Sequence, residues 1–168
     1  MGGGITAESE LGRGSTFRFT IQVDQPLHQL DLATLRAPAE LHAVRALIVD
    51  DNATSRRLLE HWLRGWHIET TAVDDGPAAL EALRQGGAKS RPFEVVLLDS
   101  RLSGTDALAL ATQIHQTSVL PACRILLLAV ADQAEDLGHC HDGLSACLMK
   151  PVMEDELLDA ICRARSRR

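Results

Sequence analysis

Four charged residues that could bind a metal ion or a phosphoryl group lie at the ends of runs of four apolar residues. They are Asp50 and Asp51 after the first run, Asp99 after the second and Lys150 after the third. Short apolar runs between helix-like stretches are typical of buried parallel strands, whose carboxyl ends meet at one edge of a sheet. Three carboxylates and one ammonium would then converge there. Because clustered carboxylates repel one another, the set suits a hard divalent cation and a phosphoryl group.

Composition narrows the class of protein that could carry this set. The chain has 168 residues, of which 45% are hydrophobic and 24% charged, as in a globular protein with one ordinary domain and an additional piece. Its net charge of -6 argues against nucleic acid as the main partner. No apolar stretch approaches the roughly 18 residues that a membrane span needs, and the N-terminus lacks the pattern of a signal peptide. The four cysteines show no CxxC spacing, which favours reduced core residues and a cytoplasmic location.

Alternating patterns from residue 45 onward predict the fold that would position these groups. Strands are predicted at 45–50, 67–73, 93–98, 124–130 and 146–149, and helices at 53–65, 77–86, 105–116, 132–141 and 154–166. Gly86 and Gly87 predict the end of the second helix. Strands that alternate with helices predict an α/β domain, a doubly wound five-stranded parallel sheet with helices on both faces.

The first 44 residues follow a different pattern. Residues 1–23 predict a β-hairpin with strands near 5–10 and 15–23, and apolar side chains alternate along the second strand. Because a single hairpin is marginally stable in water, we expect this one to be the remnant of a larger sheet. Residues 24–44 contain two prolines among small and polar residues and predict a linker with a helical turn near 30–36. The predicted domains are therefore a hairpin at 1–23, a linker at 24–44 and an α/β domain at 45–168.

The α/β region resembles the receiver domain of two-component signalling proteins. The matching segments are LIVDDN at 47–52, FEVVLLD at 93–99 and LMKP at 148–151. The resemblance covers about three quarters of the chain and implies a flavodoxin-like sheet with strand order 2-1-3-4-5, for which a family member is a standard example. The glycines and the GRGSTF segment within 1–19 resemble the end of a histidine-kinase ATP-binding domain. That order of modules implies a hybrid histidine kinase.

The receiver resemblance implies a role for each charged residue. Asp99 would be the phosphoacceptor, taking a phosphoryl group from a phosphohistidine, and Lys150 would contact a phosphoryl oxygen. Mg²⁺ would be held by Asp50, Asp51, Asp99 and the main-chain carbonyl of Arg101, with Asp50 acting largely through water. The donor would be a kinase or a histidine-phosphotransfer domain. The kinase's own histidine and main nucleotide-binding segments are not in the sequence, so we expect no kinase activity from this piece.

Four positions depart from the family pattern. Ala129 stands where a hydroxyl residue usually ends the fourth strand, and Cys147 stands where an aromatic residue usually lies three positions before the lysine. Ser103 and Ala107 replace a customary proline and glycine. Since Ala129 and Cys147 cannot form the usual conformational switch, an alternative function remains open, a receiver that acts as an interaction or regulatory module without phosphorylation.

Less specific interpretations of the same residues remain. Asp50 and Asp51 could simply cap a helix. The cluster His139, Cys140 and His141 with Cys147 offers soft metal ligands, but its spacing matches no common zinc pattern, and a polar helix end is the default interpretation. Homodimerisation through the last two helices stays open. We expect no nucleic-acid partner and no membrane contact from this piece, while the parent protein could carry a membrane anchor.

Overall fold

The computed structural model describes residues 2–23, 41–116, 123–130 and 143–166. The chain divides into two compact units, residues 1–35 and 36–168. The predicted turn at 30–36, most of the predicted linker, the predicted helix at 132–141 and the candidate soft-metal cluster at 139–141 lie outside the described residues.

The first unit is the predicted β-hairpin. Strand β1 (Gly3–Glu10) pairs antiparallel with β2 (Gly14–Ile21), with Ile5 opposite Phe19. Every residue of both strands is exposed. Phe17 and Phe19 keep 66% and 69% of their surface accessible, so the apolar face that alternation predicts is uncovered by the described residues. Among the described residues, cross-strand contacts are what hold the hairpin together.

The second unit contains a five-stranded parallel sheet with four described helices. In chain order its elements are β3 (Arg45–Val49), α1 (Ala53–Gly65), β4 (Glu69–Val73), α2 (Gly76–Ala88), β5 (Val95–Asp99), α3 (Ala107–Gln116), β6 (Arg124–Ala129), β7 (Leu144–Met149) and α4 (Glu154–Ser166). The strands lie in the order β4-β3-β5-β6-β7 and pair in parallel. The predicted fold class and strand order are confirmed.

Helices cover both faces of this sheet because successive side chains of a strand point to opposite sides. Ile48 of β3 packs in a core cluster with α1 and α4, whereas its neighbour Leu47 packs in a second cluster with α2 and α3. Leu41 and Val44, from the segment predicted as linker, are 1% exposed and belong to the first cluster. The packed core of the second unit thus extends to residue 41.

Polar side chains begin three of the helices directly after loops at the carboxyl edge. The Asn52 side chain accepts hydrogen bonds from the N–H groups of Thr54 and Ser55 at 2.9 and 3.2 Å, which caps α1. Asp75 caps α2, and Asp106 caps α3 in the same way. Each cap satisfies main-chain donors that a helix leaves unpaired in its first turn. These three caps set the residues at which the loops at the carboxyl edge end and the helices begin.

Candidate functional site

The structure brings the four predicted charged side chains together at the carboxyl edge of the sheet. One carboxylate oxygen from each of Asp50, Asp51 and Asp99 lies within 4.8 Å of the others. The Lys150 Nζ atom lies 2.8 Å from Oδ1 of Asp99 and 3.6 Å from Oδ2 of Asp50. They meet because β3, β5, β6 and β7 are consecutive neighbours in the sheet, and each strand ends at this edge.

Asp50 is the most buried of the three aspartates, with 1% of its surface exposed. Its Oδ1 accepts a hydrogen bond of 2.8 Å from the N–H of Asn52, whereas its Oδ2 is buried and accepts none from any described residue. Burial raises the pKa of the Asp50 carboxyl, and the Asn52 N–H and Lys150 only partly oppose that effect. A buried carboxylate oxygen without a hydrogen-bond donor is costly, and the only charge that offsets this cost among the described residues is the Lys150 ammonium at 3.6 Å, so the atom can accept a further cation.

Asp51 lies at the exposed side of the cluster and has different contacts. The main-chain N–H of Ser103 donates to its Oδ2 at 3.1 Å, and the Ser103 hydroxyl donates to the same oxygen. These hydrogen bonds lower the pKa of the Asp51 carboxyl, the side-chain one being the larger cause. These contacts favour the carboxylate form of Asp51, which is the form that binds a cation.

Asp99 ends β5 and is 4% exposed. Its Oδ1 accepts from Lys150 Nζ at 2.8 Å and from the N–H of Arg101 at 3.1 Å. Neither contact uses Oδ2. The Arg101 hydrogen bond folds the loop after β5 back onto the carboxylate, and the contact with Lys150 supplies positive charge in a site of low exposure. A carboxylate in this setting can act as a covalent nucleophile.

The donor set fits a hard divalent cation. Three carboxylates face one ammonium, so the cluster carries an excess of negative charge, and all three offer oxygen ligands at one point. The buried Oδ2 of Asp50, which has no hydrogen-bond donor among the described residues, independently favours a cation in this position. An acidic pocket able to hold a metal ion is therefore part of this domain.

Ala129 and Cys147, the two departures from the expected switch, lie on β6 and β7. Ala129 is fully buried, and its carbonyl accepts a hydrogen bond of 2.6 Å from the N–H of Lys150. Cys147 is half-buried and pairs with Leu127 of β6. The main chain of Lys150 is thus anchored to the residue that lacks the customary hydroxyl. The peptide bond from Lys150 to Pro151 is cis.

Two contacts of this site were not predicted from the sequence. The family pattern marks Ser103 only as a replacement for proline, although its position four residues after Asp99 places a hydroxyl in the same loop. Arg56 of α1 donates from its guanidinium to the Asp50 carbonyl at 2.6 Å. A basic side chain one turn into a helix that follows two aspartates was the available signal for that contact.

Fold and site together define an α/β domain with an acidic cluster and a lysine at the carboxyl edge of its parallel sheet. The chain belongs to the response regulator receiver domain family, whose model matches residues 46–162. It is 27% identical over 162 residues to the autoinducer 2 sensor kinase/phosphatase LuxQ of Vibrio vulnificus, covering 95% of this chain and 18% of that protein. It is 34% identical over 165 residues to the sensor histidine kinase AruS of Pseudomonas aeruginosa, covering 96% of this chain and 16% of that protein.

The structural comparison agrees at the level of the fold. The chemotaxis response regulator CheY4 of Vibrio cholerae superposes with a TM-score of 0.62 at 23% identity, covering 72% of this chain and 98% of that one. The chain spans less than a fifth of the length of the sensor kinases it matches, and the alignments cover nearly all of this chain. Among the described residues, no helix has both the length and the apolar character that crossing a bilayer requires.

Proposed function

We propose that Asp99 is the phosphoacceptor of this receiver domain and takes its phosphoryl group from a phosphohistidine. The observation that carries the proposal is the placement of Asp99, a 4% exposed carboxylate that lies 2.8 Å from Lys150 and within 4.8 Å of two further carboxylates. Asp50 has the same neighbours, but its Oδ2 lies 3.6 Å from the Lys150 Nζ and it is more deeply buried, at 1% exposed.

In the transfer step, a carboxylate oxygen of Asp99 attacks the phosphorus of the donor histidine. A phosphorus–oxygen bond forms as the phosphorus–nitrogen bond breaks, and the electron pair of the broken bond returns to the imidazole nitrogen, which takes up a proton. The products are an acyl phosphate and neutral histidine. Lys150 exchanges its contact with Oδ1 of Asp99 for one with a phosphoryl oxygen and so keeps a positive charge beside the transferred group.

Asp50, Asp51, Asp99 and the main-chain carbonyl of Arg101 are the groups that would hold Mg²⁺. Bound there, the ion would supply the charge that offsets repulsion between carboxylate and phosphoryl oxygens. The hydrogen bonds from Ser103 favour the ionised form of Asp51, and Asp50 presents an oxygen that lacks a hydrogen-bond donor among the described residues. The residues themselves thus provide both the negative charge and the vacant acceptor that such an ion needs.

The hairpin and the α/β domain have separate roles in the proposed parent protein. The hairpin at 1–23 is the end of a kinase ATP-binding domain, the segment 24–44 is a linker whose last residues, Leu41 and Val44, pack into the receiver core, and 45–168 is the receiver. The exposed apolar side chains of β2 support this assignment, since a strand with an uncovered apolar face is expected to pack against further protein. The donor is the histidine of a kinase or a phosphotransfer domain, and the location is cytoplasmic.

The test is direct phosphorylation of the protein with a small phosphodonor in the presence of Mg²⁺. Intact mass should rise by one phosphoryl group in the wild type and stay unchanged in Asp99→Asn. Asp159→Asn is the matched control, because Asp159 is an exposed aspartate on α4 that pairs with Arg163, and the substitution should leave the modification intact. A wild-type protein that is not modified, or an Asp99→Asn protein that is modified equally, would refute the assignment.

The alternative of an interaction module that works without phosphorylation rests on Ala129 and Cys147. It is not favoured, because the acceptor, the acidic pair and the lysine are all retained and adjacent. Beryllofluoride separates the two functions, since a phosphoacceptor should show spectral changes around Asp99 that Asp99→Asn loses, whereas a module of the second kind should show none.

A further inference from the structure

Ser103 makes an unusual pair of contacts with one of the proposed metal ligands. Its main-chain N–H and its hydroxyl both donate to Oδ2 of Asp51, although the two residues are 52 positions apart in the chain. The resemblance to receivers places a proline at this position, and proline has neither of these donors. The contact is therefore a property of this chain and not of the general family pattern.

The loop that carries Ser103 is anchored on both sides. Leu102 is 6% exposed and belongs to the core cluster formed with α2 and α3, and its carbonyl accepts a hydrogen bond of 3.3 Å from the N–H of Thr105. Asp51, in contrast, is exposed, and an exposed aspartate would otherwise sample several rotamers. A fixed donor pair thus acts on a side chain that would be mobile without it.

Both hydrogen bonds from Ser103 go to the same oxygen of Asp51, so the two oxygens of this carboxylate have different surroundings. Oδ2 is occupied by both donors, while neither uses Oδ1. A carboxylate has about four acceptor sites, so the contacts with Ser103 leave room for a cation on the other oxygen. Hydrogen bonds of this kind from outside the ligand set orient a metal-binding carboxylate and typically change metal affinity about 10- to 100-fold.

We propose that Ser103 is a positioning residue of the cation site, which fixes the Asp51 carboxylate so that one of its oxygens faces the ion. The inference rests on the proposed function, in which Asp51 is a Mg²⁺ ligand. It goes beyond that function by assigning a metal-affinity role to a residue of the loop after β5. Ser103 also links the two segments that carry the ligands, because it lies four residues after Asp99 and contacts Asp51.

The test is a titration with MgCl₂ followed through the amide NMR shifts of Asn52, Arg101 and Ser103. Ser103→Ala removes the hydroxyl and keeps the N–H, so its Mg²⁺ dissociation constant should rise about tenfold, the lower limit because the contact is exposed. Ser103→Thr keeps both donors and should bind within about twofold of wild type. Ser166→Ala is the control, since its hydroxyl donates to Cys162 at the end of α4, away from the site.

Thermal unfolding of each variant without Mg²⁺ separates positioning from a general loss of structure, because Ser103→Ala should melt close to wild type. Equal or tighter Mg²⁺ binding by Ser103→Ala would overturn the inference, since the hydrogen bonds would then be neutral or would compete with the ion. Absence of saturable Mg²⁺ binding in the wild type would overturn it as well. Phosphorylation of the same samples, measured by mass, distinguishes these outcomes from failure of Asp99 as acceptor.

Discussion

Replacing Lys150 by methionine should lower the stability of the metal-free protein by about 2–4 kcal/mol. The ammonium lies 2.8 Å from Asp99 and 3.6 Å from Asp50, which at an effective dielectric constant of about 20 corresponds to attractions of about 6 and about 5 kcal/mol. Most of that attraction only offsets the cost of burying the charges. Removing one partner of a buried ion pair costs about 3–5 kcal/mol, and we take a lower range because the Lys150 side chain is 26% exposed.

The loss should shrink when Mg²⁺ is added, because the cation supplies the positive charge that Lys150 no longer provides. We expect Lys150→Met to bind Mg²⁺ about tenfold more tightly, equivalent to about 1.4 kcal/mol of removed repulsion. At a Mg²⁺ concentration ten times the wild-type dissociation constant, binding stabilises the wild type by about 1.4 kcal/mol and the variant by about 2.7 kcal/mol. The stability gap should therefore close by about 1.3 kcal/mol.

Urea unfolding followed by tryptophan fluorescence measures both effects, since Trp66 is 4% exposed and packs in the core cluster with α1. The control is Lys89→Met, which changes the only other lysine of the chain at the exposed end of α2 and should shift stability by less than about 0.5 kcal/mol. The electrostatic reasoning is refuted if Lys150→Met is as stable as wild type, or if its loss is the same with and without Mg²⁺.

A substitution of Ala129 beside the site and a chemical modification of Cys123 at the opposite end of β6 probe the interior of the domain. Ala129→Ser should cost about 1–3 kcal/mol, because Ala129 is fully buried and burial of a hydroxyl carries a desolvation penalty of that size. Part of that loss should return with beryllofluoride in urea unfolding, and an equal loss in both conditions would contradict a hydroxyl that reaches the phosphoryl group. Burial raises the pKa of the Cys123 thiol from 9.0 to about 12, so its thiolate fraction at pH 8 is about 1,000-fold below normal. Iodoacetamide labelling followed by mass spectrometry should be correspondingly slow in the native protein and fast in urea, and equal rates would contradict the shift.

The sheet and its edge were predictable because the physical signals are local. Runs of apolar residues with helices between them specify parallel strands, and the strand order followed from the family resemblance. The end of α2 was not predicted correctly. Gly86 and Gly87 suggested a stop, but α2 continues to Ala88. Gly86 is explained by packing, since a Cβ atom there would lie 3.2 Å from the Phe93 ring. That contact depends on where β5 passes, and no local pattern reveals it.

The hydrogen-bond partners of the individual carboxylate oxygens could not be predicted from the sequence. Proximity of Asp50, Asp51, Asp99 and Lys150 follows from strand order, but the partner of each carboxylate oxygen depends on loop conformation. The donors of Ser103 reach Asp51 only because Leu102 anchors the loop in the core. Sequence patterns assign residues to helices and strands. Which hydrogen-bond donor reaches which carboxylate oxygen depends on the tertiary structure.

The buried carboxylate of Asp50 lowers the stability of the metal-free protein at neutral pH, although the same carboxylate is a proposed Mg²⁺ ligand. Since the folded-state pKa of Asp50 is raised, the stability that this carboxyl contributes is present below pH of about 3.8 and is lost as the pH rises through the raised value. Near neutral pH the ionised group therefore weakens the metal-free fold. A selection for heat resistance alone would favour Asp50→Asn and would discard a proposed ligand of the ion, so thermostable variants of this domain should be screened for Mg²⁺ binding at the same time.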